Sequence, residues 1–121
     1  AFIRSLPFVY ETEHYIFVHA GLDLTLPDWH ETTDYQKVWI RQPFHEATNQ
    51  TGKTIVFGHT PVHYLLDQKI GTKELWVTKD GKIGMDGGAV YGGVLHGILF
   101  DESGMKADVA LINEGFAAID D

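Results

Sequence analysis

Apolar and polar positions along the chain fall into short runs broken by loops, a mixture of strand-like and helix-like periods. HYIFVHAG, from His14 to Gly21, is an apolar run of strand length that ends in His19 and a turn glycine. LDLTLPDWHETTD follows as a polar loop carrying a proline. From about Asp34, Tyr35, Val38 and Trp39 recur at helical spacing, with Thr33 or Asp34 as the N-cap. Pro43 interrupts that helix, and FHEATNQTG reads as a further helical turn or two closing at Gly52. TIVF, residues 54–57, is the next strand. Beyond Gly71 the pattern predicts short β segments at Glu74 to Thr78, Lys82 to Met85, Val94 to Phe100 and Ala107 to Ile112. KDGK and DESGMK supply the hairpin turns between them. The closing EGFAAIDD carries too little pattern to place. The fold class expected is α/β.

At 121 residues the chain holds one domain at most. Its hydrophobic content of 44% and charged content of 21% are those of a soluble globular protein. No run of 18 apolar residues and no signal-peptide pattern occurs, so no membrane partner is expected. The absence of cysteine removes disulfides and thiolate metal sites and suits a cytoplasmic location. Seventeen acids against nine bases give a net charge of −8, which repels polyanions and argues against a nucleic-acid duplex as partner. Seven histidines are the unusual feature, and they direct attention to metal ligation.

Two stretches share a grammar: YIFV followed by His19, Ala20 and Gly21, and IVF followed by Gly58, His59 and Thr60. Loops past the carboxyl ends of strands converge on one crevice in open α/β sheets, so a histidine just past each of two strands reaches a common point. A lone strand-end histidine more often bonds a nearby backbone group, and the repetition is what weakens that simpler reading. Gly58 is expected to permit close approach, and Pro61 to turn the chain away.

With FVHAGL, VWIRQPF, VFGHTP and IGMDGGAVYGG in that order, the sequence resembles the C-terminal half of bacterial calcineurin-like metallophosphoesterases, nearest the serine/threonine protein phosphatase and diadenosine tetraphosphatase branch. The resemblance runs from about Ile3 to Phe100. It implies that His19 and His59 coordinate the same metal ion and that Arg41 binds the substrate phosphate. A guanidinium fork matches two phosphate oxygens, where lysine offers only a point charge. It also implies that Tyr91, on the glycine-rich loop, contacts substrate. The cofactors implied are divalent ions, Mn²⁺ foremost with Fe or Zn²⁺ as alternatives, dinuclear in a complete domain. The implied reaction is phosphate-ester hydrolysis by a two-metal-activated hydroxide, on a phosphorylated protein or a nucleotide. Pro61 stands where other branches carry the last histidine of G-H-x-H, which favours the phosphatase branch; His63 reads as an exposed or structural residue.

The family's upstream motifs, G-D-x-H-G, G-D-x-x-D-R-G and G-N-H-[DE], do not occur. Residues 1–121 are therefore expected to form the C-terminal part of a single metallophosphoesterase domain, supplying only part of the active site and nearly inactive alone. The implied architecture is half of an α/β sandwich of two mixed β-sheets flanked by helices. An exposed apolar face would then favour self-association. The alternative is a catalytically inert phosphatase-like binding or structural module that keeps a phosphate-binding Arg41.

Other motifs fail on their neighbours. TGKT lacks the earlier P-loop glycine, which is Ala47, and a strand follows it; HEATN has Asn49 where a zincin needs histidine. Asp86 is expected to hold backbone amides and the glycines around it to form a tight loop. Gly87 stands where the family usually has threonine. Trp29, Trp39 and Trp76 read as core or rim residues.

Overall fold

The computed structural model describes residues 7–66, 75–88, 93–101 and 104–112. Their architecture is a mixed α/β fold with few helices. Five strands form one mixed sheet: β1 (Val9–Glu11), β2 (Tyr15–Val18), β3 (Thr54–Phe57), β4 (Trp76–Val77) and β5 (Lys82–Gly84), in the order β1-β2-β3-β5-β4. β2, β3 and β5 run parallel, while β1 and β4 close the two sides antiparallel. The second sheet is an antiparallel pair, β6 (Val94–Asp101) and β7 (Gly104–Ile112), rather than a mixed sheet.

Alternation along β2 and β3 divides the packing. Ile16 and Val18 of β2 join Ile55 and Phe57 of β3 in one core, with Ala20, Leu22 and Phe44. Tyr15 of β2 and Val56 of β3 face the other way with Ile83 of β5, and Phe17 and Phe100 pack against them. Phe100 meets Tyr15 and Phe17 edge-on at ring separations of 5.1 and 5.8 Å, which places β6 against this second face. Ile16 and Ile55 are wholly buried, each contributing about 1.5–3 kcal/mol by leaving water. Register is thereby fixed, since a one-residue slip would exchange the two faces.

Helix α1 (Asp34–Trp39) starts at Thr33 in a reciprocal capping box with Gln36, and ends before Pro43 as its sequence predicts. The further helix expected over residues 44–52 is replaced by a single turn. Ala47 N–H donates to the Pro43 carbonyl at 2.8 Å, and beyond it the Asn49 side chain binds the Lys53 and Asp80 carbonyls. Those side-chain bonds compete with continued helix. Three short elements have no counterpart in the sequence pattern: β1, a 3₁₀ turn at Trp29–Glu31 and α2 (Val62–Leu65). Each spans three or four residues, too few to show a period.

Candidate functional site

β2 and β3 are parallel with Ile16 opposite Ile55 and Phe17 opposite Val56. The same offset puts His19 level with Gly58, and Gly58 N–H donates to the His19 carbonyl at 2.7 Å. His59 therefore stands one residue further out than His19. Strict alternation would send the two imidazoles to opposite faces of the sheet, because His19 shares the parity of Phe17 and His59 that of Phe57. They nevertheless converge, with ring centroids 5.2 Å apart.

The cause lies in the backbone at His59, whose φ is +67°; among the described residues it is the non-glycine residue in the left-handed region. Thr60 N–H donates to the Gly58 carbonyl at 2.7 Å, making a three-residue γ-turn centred on His59. Histidine tolerates this conformation better than most side chains, but at a cost on the order of 1–3 kcal/mol. Gly58 is not the residue that needs its missing side chain. A Cβ there would meet nothing nearer than the His19 carbonyl at 3.6 Å, so the expected close approach is not made. Pro61 does turn the chain, serving as the N-cap of α2.

The surroundings keep His59 neutral. Burial, reinforced by the charges of His19 and Arg41, holds its pKa below the ordinary imidazole value, while Asp86 and a backbone hydrogen bond to Trp39 act in the opposite sense. A neutral imidazole is the ligating form. The Trp39 indole stands edge-on to His59 at 5.6 Å and is 59% exposed, on the rim of the site. Trp29 and Trp76 are partly buried against the core.

Two imidazoles that each reach one ion at about 2.0–2.1 Å, in a tetrahedral arrangement, have ring centres roughly 5 Å apart. The observed separation of 5.2 Å fits that arrangement. No group of three His, Asp or Glu side chains gathers around a common point among the described residues, so further donors would have to come from elsewhere. Asp86 is already engaged: its Oδ1 accepts the Gly88 N–H at 2.9 Å, and Gly88 has the expected positive φ, +73°. Asp23 is engaged too, by the Thr25 N–H and hydroxyl and by Gln36 Nε2, bonds that lower its pKa.

Arg41 lies two residues beyond α1, exposed, at the start of the turn that buries Phe44. Its charge is felt at both His59 and His45. His63 is half-buried with its ring against Tyr64, as a structural residue would be. Tyr91 lies outside the described residues.

Two ionisable residues of this region carry no motif. His45 is buried among Phe44, Phe57 and Trp76, and its Nε2 has no hydrogen-bond partner. Burial, followed by the charges of Lys82, Arg41 and His59, pushes its pKa down to about 4. Lys82 is 1% exposed, on the face of the sheet shared with Ile55. No sequence signal marks Lys82, because all three residues of β5 are buried and parity does not separate inside from outside there.

Among the described residues no helix is long and apolar enough to cross a membrane. No protein-family model, curated protein or solved structure matches this chain.

Proposed function

We propose that this chain carries part of the active site of a metal-dependent phosphatase of the serine/threonine protein phosphatase-like kind, acting on phosphate esters in the cytoplasm. The observation that carries the reading is the convergence of His19 and His59, achieved against strand alternation and at a backbone cost, with the charge of Arg41 felt at His59. A strained conformation that aims an imidazole at its neighbour is the kind of feature held for function rather than packing.

In this reading His19 and His59 present neutral nitrogens to one divalent ion, Mn²⁺ before Fe or Zn²⁺. Such ions, when bound, supply an activated water and neutralise phosphoryl charge. The Arg41 guanidinium grips two phosphate oxygens and orients phosphorus for in-line attack. The lowered pKa of His59 keeps its nitrogen free of protons further into the acid range than an ordinary imidazole. Remaining donors, and Tyr91 as a substrate contact, belong to the proposed complete domain, in which the sheet would form half of an α/β sandwich. The apolar groove of about 770 Å³ beside β1 and β2, lined by Phe8, Tyr10, Phe17 and Met85, is the surface such a half would cover. Among the described residues two imidazoles gather without a third donor, which favours the second reading for the chain acting alone: a module that binds phosphate through Arg41 without turnover.

Hydrolysis of p-nitrophenyl phosphate with excess Mn²⁺, measured beside His59→Ala, Arg41→Ala and the parent protein, tests this. Expected are near-zero turnover by the 121-residue chain and His59-dependent turnover by any longer parent. Metal binding should weaken at least about tenfold in His19→Ala and His59→Ala alike. Equal metal and phosphate binding in wild type and all three variants would sink both readings.

A further inference from the structure

The residues that position Arg41 end on a buried cation. The turn after α1 is short: His45 N–H donates to the Arg41 carbonyl at 3.3 Å, and Glu46 and Ala47 N–H donate to the Pro43 carbonyl at 3.1 and 2.8 Å. Its anchor at one end is Phe44, wholly buried beneath Gly21, where a Cβ would come within 2.5 Å of the phenyl ring. At the other end stands Lys82. Its Nζ donates to the His45 carbonyl at 3.3 Å and, in a shorter bond, to the Ala47 carbonyl, while lying 5.4 Å from the centre of the Phe44 ring.

An ammonium is an expensive means of filling this space. Burial depresses the Lys82 pKa, and the nearest carboxylate, Asp80, is 3.9 Å away and itself bound to Thr78 and the Asn49 N–H. A methionine would occupy the same volume without desolvating a charge. What methionine cannot do is donate to two carbonyls at once while its stem packs on Phe44. Those bonds tie residues 45 and 47 to the central sheet, through a lysine on the strand that pairs with β3, the strand leading to His59.

We propose that Lys82 is a positioning residue: a buried cationic clamp on the His45 and Ala47 carbonyls that fixes the 41–47 turn and with it the backbone from which the Arg41 side chain extends. The role assigned to Arg41 rests on the phosphate-binding reading above. The clamp itself does not, and the two are separable by experiment. It predicts that removing the Lys82 charge loosens a turn on the rim of the site while the parallel strands stay ordered.

The test compares wild type, Lys82→Met, Lys82→Arg, Arg41→Ala and the Lys82→Met/Arg41→Ala double variant by NMR, with amide hydrogen exchange and titration with inorganic phosphate. In Lys82→Met, exchange at Glu46 and Ala47 should rise about tenfold while Ile55 and Val56 are unchanged. Phosphate binding should weaken several-fold, with Lys82→Arg recovering part of it. The double variant should bind no more weakly than Arg41→Ala alone, since the clamp acts through that residue. Wild-type exchange at Glu46 and Ala47 in Lys82→Met overturns the clamp. Additive effects of the two substitutions on phosphate binding overturn its link to Arg41. Phosphate binding indifferent to Arg41 overturns the phosphate reading and the positioning role together, while the exchange rates still decide the clamp. Should Lys82→Met not fold, the wild-type chain answers through the Lys82 ¹⁵Nζ resonance: ammonium protons slow to exchange, coupled to the His45 and Ala47 carbonyl carbons, are expected, and their absence refutes the clamp.

Discussion

The ends of β2 and β3 each present an imidazole, by opposite means. At β2 the imidazole is the first residue past the strand, exposed, and keeps the outward course of its parity; the constraint is displaced to Gly21, which has no room for a side chain above Phe44. At β3 the imidazole is one residue later and on the wrong parity, so the constraint falls on His59 itself, at φ of +67°. Gly58, the glycine beside it, is almost unconstrained. A shared motif grammar of strand, histidine and glycine therefore hides two different distributions of strain. Each glycine or histidine has to be weighed by what surrounds it.

A third imidazole sharpens the contrast by showing what burial, with neighbouring positive charge, does. His45 has a pKa of about 4 in the folded chain against about 6.5 unfolded. Between those values the unfolded state binds the proton and the folded state does not, so stability falls as pH drops from 6.5 towards 4. The loss should reach about 2 kcal/mol in urea titrations at pH 7 and pH 4.5, and His45→Phe should remove most of that slope. An unchanged slope in the variant would show that His45 is not the titrating group.

The next effect separates the two glycines. Gly21→Ala should cost about 1–3 kcal/mol through collision with Phe44, whereas Gly58→Ala should stay within about 0.5 kcal/mol of wild type. Equal costs in thermal or chemical melts would collapse the distinction between the strand ends.

The smallest effect is the most diagnostic. His59→Gly should stabilise the chain by about 1 kcal/mol by relieving the left-handed backbone, while weakening the proposed metal binding at least about tenfold. His59→Ala should lose binding with no such gain. His19→Gly should lose binding and cost about 0.5–1 kcal/mol, as glycine does near a strand. A loss of stability in His59→Gly would mean that the backbone there is not strained.

Much of the framework is legible in the sequence because it rests on local rules. The strands at Tyr15–Val18 and Thr54–Phe57 follow from β-branched and aromatic runs, the Thr33 cap from its pairing with Gln36, and the two antiparallel hairpins from KDGK and DESGMK. β1, the 3₁₀ turn and α2 escape because three or four residues of mixed apolar and polar character show no period of their own, and the 44–47 turn fails to grow into a helix because Asn49 takes the backbone bonds of Lys53 and Asp80.

The sequence by itself determined which residues carry the candidate chemistry, His19, His59 and Arg41, since residue type and distance from a strand end are local properties. Only the tertiary structure decided that the two imidazoles meet. Strand parity sends them apart, and a γ-turn stabilised by the Gly58 carbonyl and the packed sheet brings them together at 5.2 Å. It alone decided, too, that Lys82 lies inside the protein. A lysine in a turn-flanked segment belongs by its own preference in water, and it is held in the core by carbonyls from a part of the chain some 35 residues earlier.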